Sequence, residues 1–212
     1  IDSTNFEHLY NKETDIFSIG YDVGIETMSS YHYDKFLSES RLLSYIAISM
    51  HQVPYRHWFS LDKSLTRHRF RKGLISWNGT AFEYFMPLIF MESFPYTLLD
   101  ETYSFGHYVQ KSFIREVDFR LPWGITESAY NDLDDSQNYK YKAFGVPYLK
   151  FADTKKPRIV ISPYGSILAS QKFPLSVYKN LQKLKRYNME GEYGYYEAYD
   201  AEESEVVKAY YA

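Results

Sequence analysis

Three glutamates in apolar and aromatic surroundings are the residues of this sequence best suited to acid–base chemistry. Glu39, Glu83 and Glu127 each lie in a segment rich in Phe, Leu, Trp or Tyr. Burial disfavours the ionised form of a carboxyl group and raises its pKa, as a general acid requires. A second carboxylate that stays ionised can act as nucleophile or base, and glycoside hydrolysis uses such a pair on either side of the scissile bond.

Each glutamate also has a structural alternative. Glu39 could pair with Arg41 or Arg56 on a solvated face. Glu83 falls in a nearly all-apolar segment, where an unpaired buried acid is costly, so it is either partnered or functional. Glu127 follows a Trp-Gly pair and could cap a helix or lie on the surface.

The aromatic content favours a sugar ligand, although only weakly. Aromatic residues make up 19% of the chain, with 23 Tyr, 15 Phe and 3 Trp. A tyrosine combines an apolar ring with a polar tip, which matches the flat C–H faces and hydroxyl rim of a sugar. The alternative is that most of these rings pack the core and its edge.

Composition argues against several other classes of protein. The 212 residues carry a net charge of −3, so no basic excess points to a nucleic-acid partner. The chain has no cysteine, and its six histidines lack metal-ligand spacing, so we expect no metal. A P-loop and a dinucleotide-binding fingerprint are both missing, and we expect no cofactor. Because no run of about 18 apolar residues occurs, we expect no transmembrane segment.

The periodicity of apolar residues predicts a mainly all-α chain with a few short strands. Pro87 is expected to kink or divide the second helix. Residues 131–138 are predicted to form a surface loop, and residues 158–162 and 193–197 to be extended. The predicted helices cover residues 33–50, 79–92, 98–117, 164–170 and 174–187, and a last one begins after Asp200.

Several segments, taken together, resemble one family. Residues 76–87 read SWNGTAFEYFMP and residues 122–131 read PWGITESAYN. With the other matching segments they resemble the glycoamylase-like domain of bacterial cyclic β-1,2-glucan synthases and of related glucoamylases. The matching segments follow the family's order and are residues 17–22, 33–34, 38–42, 57–59, 76–87, 122–131, 141–147, 162–164 and 193–198.

The resemblance implies an (α/α)6-toroid-like helical barrel that hydrolyses or transglycosylates β-1,2-linked glucan. It implies that Glu39 is the nucleophile or base and Glu127 the acid/base, with Glu83 as a third carboxylate of the cleft. It further implies a set of sugar contacts: Asp22, Trp77, Trp123, Tyr130, Tyr141, Lys142, Tyr195 and Glu197.

The chain is predicted to be one glycoamylase-like domain over residues 1–212. It lacks a starting Met and ends where relatives continue, so we expect a fragment of a longer polypeptide with an incomplete barrel. Its partners would be an oligo- or polysaccharide and the remainder of that polypeptide. A glucan synthase would place it in the cytoplasm or at the inner membrane, and a free hydrolase in the periplasm or outside the cell.

Two rival hypotheses remain open. One is a sugar-binding module without catalysis, whose glutamates would face away from a shared cleft. The other is a purely structural helical domain, which requires Trp77 and Trp123 to be buried in the core.

Overall fold

The computed structural model describes residues 4–151 and 158–208, which divide into two compact units at Ser64 and Leu65. In the part of the chain that the structure describes, no helix combines the length and the apolar character needed to cross a membrane. The prediction of a single domain over residues 1–212 stays a prediction.

The first unit combines small antiparallel sheets with two helices. Strands β1, β2 and β5 form a three-stranded sheet, and β3 and β4 form a hairpin. Tyr10, Phe17, Ala47 and Val53 form its apolar core. The elements are β1 (Tyr10–Asn11), β2 (Ile16–Ser18), β3 (Tyr21–Asp22), β4 (Thr27–Met28), β5 (His32–Tyr33), α1 (Arg41–Ser49) and α2 (His57–Ser60).

The second unit is built around one long helix. This helix, α4, packs on the β6–β7 hairpin and on α3, and it buries a face that includes Phe105, Val109 and Phe113. The helices are α3 (Ala81–Phe85), α4 (Leu98–Asp118), α5 (Pro163–Ile167) and α6 (Pro174–Lys185). The strands are β6 (Leu65–His68), β7 (Arg71–Leu74), β8 (Glu127–Leu133), β9 (Tyr139–Ala143), β10 (Val160–Ile161), β11 (Glu190–Gly191), β12 (Gly194–Tyr195), β13 (Ala198–Asp200) and β14 (Glu205–Val207).

The prediction of a mainly all-α toroid is wrong. The described residues contain six α-helices and 14 strands, and the strands pair in small antiparallel sheets. Only α4, with 21 residues, and α6, with 12, exceed nine residues. The physical reason is that tyrosines and β-branched residues, interrupted by turn residues at short intervals, favour hairpins over helices.

Several individual elements differ from those predicted from the periodicity of apolar residues. The helix predicted over residues 33–50 begins only at Arg41. The helix predicted after Asp200 is a turn, with Ser204 at φ 57°, followed by strand β14, because Val206 pairs with Tyr199. Residues 131–133, predicted as loop, belong to β8. By contrast, the helix predicted over residues 98–117 is confirmed, and Pro87 divides α3 from a 3-10 turn as predicted.

Candidate functional site

Glu127 stands at the start of strand β8, where three segments of the second unit meet. Its residue pairs with Ala143 on β9, and it is half-buried. Its main-chain carbonyl accepts a hydrogen bond from the Tyr164 hydroxyl at 2.5 Å. Tyr164 is the second residue of α5, so this bond joins the start of the strand to the start of that helix.

The Tyr164 hydroxyl also fixes the residue before Glu127. It lies 3.2 Å from Thr126 Oγ1, which accepts a hydrogen bond from the main-chain N–H of Phe82 at 3.1 Å. Burial is the largest of the effects that raise the pKa of Tyr164 well above its ordinary value. The phenol therefore stays protonated at neutral pH and donates to the Glu127 carbonyl.

Glu83 is held by its own segment through a capping box. Thr80 caps helix α3 by accepting from the Glu83 N–H at 3.1 Å, and the Glu83 carboxylate accepts in return from the Thr80 N–H at 3.1 Å. The same carboxylate accepts from the Asn78 N–H at 3.0 Å and from the Ser76 hydroxyl at 3.0 Å. These bonds account for the near-complete burial of Glu83, which is 3% exposed.

The capped start of α3 in turn supports the segment that leads to Glu127. The Ala81 N–H donates to the Ile125 carbonyl at 3.0 Å. The buried amide of Gln110 on α4 bonds both the N–H and the carbonyl of Ile125, at 3.0 and 2.8 Å. Glu83 thus shapes the surroundings of Glu127 through the main chain of α3.

Two glycines allow the close packing of these segments. Gly124 has φ +136°, and a Cβ there would lie 2.6 Å from the Ser162 carbonyl oxygen. A Cβ on Gly145 would lie 1.5 Å from the Asn78 carbonyl oxygen. Any side chain at either position would push apart the backbone on which Thr126 and Glu127 are placed.

A cavity of about 510 Å³ opens beside Tyr164. Glu197, on its wall, accepts a hydrogen bond from the Ala129 N–H at 3.1 Å, two residues beyond Glu127. Tyr193 projects into solvent and is 95% exposed. The lining consists of Ser162, Pro163, Tyr164, Ile167, Gly191, Glu192, Tyr193, Gly194, Tyr195, Tyr196 and Glu197.

The chemistry of this wall suits a neutral polyhydroxylated ligand. Four tyrosine rings offer flat apolar faces, and the carboxylates of Glu192 and Glu197 can accept hydrogen bonds from hydroxyl groups. Within residues 4–151 and 158–208, no cluster of three or more His, Asp or Glu residues could hold a metal ion.

The two predicted tryptophans have different environments. Trp77 is 47% exposed, and its ring lies 5.8 Å from that of Phe151. Trp123 is 5% exposed, and Asn180 on α6 bonds its N–H at 2.9 Å and its carbonyl at 2.7 Å. A purely structural domain requires both to be buried, and only Trp123 is.

The other predicted sugar contacts of the second unit lie on strands or beside them. Tyr130 packs edge-on against Phe144, and the Arg158 guanidinium stands 5.0 Å from its ring centre. Tyr141 is 61% exposed on β9, and the adjacent Lys142 is exposed as well. Tyr195 lines the cavity, and its hydroxyl donates to the Leu181 carbonyl at 3.3 Å.

Glu39 and Asp22 belong to the first unit. Glu39 lies in the turn before α1, half-buried, and its carboxylate accepts from the Ser38 hydroxyl at 3.1 Å. Asp22 accepts from the N–H groups of Gly24 and Ile25, at 2.8 and 3.2 Å, which shapes the β3–β4 turn.

The two arginines that could have paired with Glu39 make contacts elsewhere. Arg56 pairs with Asp15 at 2.9 Å. Arg41 is fully buried, and its Nη1 donates to the Phe36 carbonyl at 3.2 Å.

Sequence reasoning did not assign a role to Tyr164, Thr126, Tyr193 or Tyr196. Tyr164 follows a Ser-Pro pair, and a proline at the first position of a helix predicts where that helix starts. This signal places Tyr164 in the first turn of α5, but it does not reveal that its hydroxyl reaches Glu127.

Residues 31–212 match the model of the Glycoamylase family, which is described as "Putative glucoamylase". The chain is 35% identical over 218 positions to the cyclic β-(1,2)-glucan synthase NdvB of Rhizobium meliloti (strain 1021), a match that covers 99% of this chain and 8% of that protein.

A solved structure is also similar, that of an endo-β-1,2-glucanase from Chitinophaga pinensis with sophorotriose and glucose bound. The TM-score is 0.64 at 15% sequence identity, over 94% of this chain and 51% of the glucanase. At this identity the likeness shows the fold alone. The chain therefore spans about half of the glucanase and a small part of the synthase.

Proposed function

The chain belongs to the glycoamylase family, and on this premise we propose that it is a glycan-processing domain that cleaves or transglycosylates β-glucan. We take β-1,2-linked glucan as its substrate, because the synthase and the glucanase that it resembles are both named for that polymer. We do not transfer the activity of the whole synthase or of the whole glucanase to this chain, because the chain spans only part of each protein.

One observation carries the proposal. Glu127 begins a strand beside the tyrosine-lined cavity, and the Tyr164 hydroxyl joins its main chain to the cavity wall. On this proposal aromatic faces hold the sugar rings, and the Glu127 carboxyl group transfers a proton to the glycosidic oxygen.

Within this proposal Glu127 acts as acid/base and Glu39 as nucleophile or base. Glu83 remains a predicted carboxylate of the cleft, although its hydrogen bonds to Ser76, Asn78 and Thr80 favour a supporting role. Trp77, Tyr141, Lys142, Tyr195 and Glu197 are offered as sugar contacts. Asp22, Trp123 and Tyr130 are offered as well, and each also has the structural contacts described above.

The test is product analysis after incubating the 212-residue chain with linear β-1,2-, β-1,3- and β-1,4-glucans. We expect products from the β-1,2-linked polymer alone. Shorter linear chains would indicate hydrolysis, and closed rings would indicate transglycosylation.

The catalytic assignment is tested with Glu39→Gln and Glu127→Gln. Glu101→Gln, an exposed change in the first turn of α4, serves as the matched control. If both active-site variants release product at the wild-type rate, the assignment is wrong.

A second candidate function is glycan binding without turnover. The capping box of Glu83 favours this second function. Its carboxylate bonds to the start of helix α3, which leaves only two of the three candidate acids for catalysis. In that case the chain binds β-1,2-glucan, Tyr193→Ala weakens the binding, and no product forms from any of the three glucans.

A further inference from the structure

A second concave surface lies between helices α4 and α6, away from the tyrosine-lined cavity. Its cavity measures about 390 Å³, and an adjoining one of about 440 Å³ shares Lys111 and Arg115 with it. The two are lined by six cationic side chains: Arg69, Arg71, Lys111, Arg115, Lys179 and Lys183. We call this surface the α4–α6 basic cavity.

Most of its positive charge is not neutralised by carboxylates. Among the described residues, Lys111, Arg115 and Lys179 form no ion pair within 4.0 Å. Glu116, the acidic residue in the lining, pairs with Arg69 at 2.8 Å. The chain as a whole carries a net charge of −3, so this concentration of cations runs against its overall charge.

The three unpaired cations are close enough to repel one another. Desolvation lowers the pKa of Lys111, and the positive charges of Arg115 and Lys179 lower it further. A bound anion would relieve this repulsion. Lys183 is already engaged, since its ammonium donates to the carbonyls of Phe119 and Leu121 at 2.7 and 2.6 Å.

The cavity also offers a neutral polar group and an apolar wall. The Ser176 hydroxyl accepts from Lys111 at 3.2 Å and lies 2.8 Å from His107 Nε2. Phe119 and Leu175, on the cavity wall, are 73% and 65% exposed. Apolar surface of this kind can cover the organic part of a ligand.

We propose that the α4–α6 basic cavity binds a phosphate monoester, with the phosphate among Lys111, Arg115 and Lys179 and the organic part against Phe119 and Leu175. A doubly charged oxyanion suits three cations that line one cavity better than a single carboxylate does. This site shares no lining residue with the tyrosine-lined cavity, so its test does not depend on the proposed glucan chemistry.

Titration calorimetry at fixed ionic strength tests the site, with inorganic phosphate and phenyl phosphate as probes. Lys111→Gln and Lys179→Gln should each weaken the binding of both about tenfold, as expected for the loss of one charge-assisted contact. Lys179 is exposed, so its replacement leaves the fold intact even if the change at Lys111 does not. Phe119→Ala should weaken phenyl phosphate and leave inorganic phosphate unchanged.

Lys140→Gln is the control, because it removes the same charge from the β8–β9 hairpin, where Lys140 pairs with Asp132. The proposal is overturned if neither probe binds at millimolar concentration. It is also overturned if Lys140→Gln weakens binding as much as Lys179→Gln, since the effect would then reflect net charge alone.

Discussion

Glu83 and Glu127 occupy similar places in the sequence and different places in the structure. Each lies a few residues after a glycine and close to a threonine, among apolar side chains. Glu83 falls at the third position of a helix, where its carboxylate bonds back to the N–H groups of Asn78 and Thr80. Glu127 falls at the start of a strand, half-buried, beside the Tyr164 hydroxyl.

This contrast shows that apolar neighbours in the sequence do not by themselves identify an acid as a catalytic group. The capping-box pattern, a Thr followed three residues later by a Glu, distinguishes the two from sequence. It occurs at Thr80 and Glu83, and it does not occur at Glu127, whose preceding Thr126 is adjacent. Variants at the two positions test whether Glu83 supports the fold and whether Glu127 performs the proposed chemistry.

The largest effect is expected at Glu127. On the proposed role, Glu127→Gln should lower kcat on linear β-1,2-glucan by roughly 10²–10⁴-fold, the range for loss of a general acid–base group. The free energy of unfolding should fall less than in Glu83→Ala, because glutamine has the size of glutamate and the variant retains the main-chain hydrogen bond to Tyr164. Initial rates and urea denaturation measure the two quantities. A stability loss as large as that of Glu83→Ala would contradict this contrast.

Glu83→Ala should act on stability instead. It leaves the buried donors of Ser76, Asn78 and Thr80 without their acceptor, and we expect a loss of about 3 kcal/mol in the free energy of unfolding. Urea denaturation measures this loss, with Glu101→Ala as an exposed control on α4. A change below about 0.5 kcal/mol, typical of surface positions, would show that the capping box does not hold α3.

Tyr164→Phe should give a smaller effect on both quantities. It removes the hydrogen bond to the Glu127 carbonyl and the contact with Thr126, which are worth about 1 kcal/mol together or somewhat more. We expect kcat on β-1,2-glucan to fall by about tenfold or less. Tyr178→Phe, an exposed change on α6, is the control and should alter neither.

The smallest effect at neutral pH concerns His107, in the α4–α6 basic cavity, because it appears only as the pH falls. Burial, with smaller contributions from Lys111 and Arg71, lowers the pKa of His107 to about 4. Above the unfolded-state pKa of about 6.5, both states are neutral and the histidine adds no pH dependence. As pH falls from 6.5 towards 4, the unfolded chain takes up the proton first, so stability declines by up to roughly 1.4 kcal/mol per pH unit.

Urea denaturation between pH 4 and pH 7 measures the decline in the free energy of unfolding. His107→Gln should remove the part of that decline that is due to protonation of His107. The stacked ring of Phe173, with centroids 4.2 Å apart, keeps the site desolvated and is left in place by the variant. An unchanged slope in the variant would mean that His107 does not carry the pH dependence.

The sequence predicted the long helix well because α4 has a continuous apolar stripe and a Thr97 cap that accepts from the Asp100 N–H. It failed for the hairpin of β8 and β9. The polar residues at 131–133 read as loop, although Asn131 is held in the sheet by the Asp200 carboxylate. This contact joins residues that are far apart in the chain, so the pattern of residues around Asn131 does not predict it.

The candidate site was predictable in part. The family motifs pointed to Tyr195 and Glu197, which line the cavity, whereas the catalytic roles of Glu39, Glu83 and Glu127 stay predictions. The role of Tyr164 depends on α5 packing against the start of β8, and the burial of Trp123 depends on Asn180 of α6. Both are tertiary arrangements that residue type and spacing do not determine.

The most direct test places Glu83→Gln and Glu127→Gln side by side. Initial rates on linear β-1,2-glucan are measured for both at matched concentrations of folded protein, so that stability is removed from the comparison. We expect folded Glu83→Gln to retain most of the wild-type rate, whereas folded Glu127→Gln should lose at least about a hundredfold. A rate loss in Glu83→Gln equal to or greater than that in Glu127→Gln would contradict this expectation.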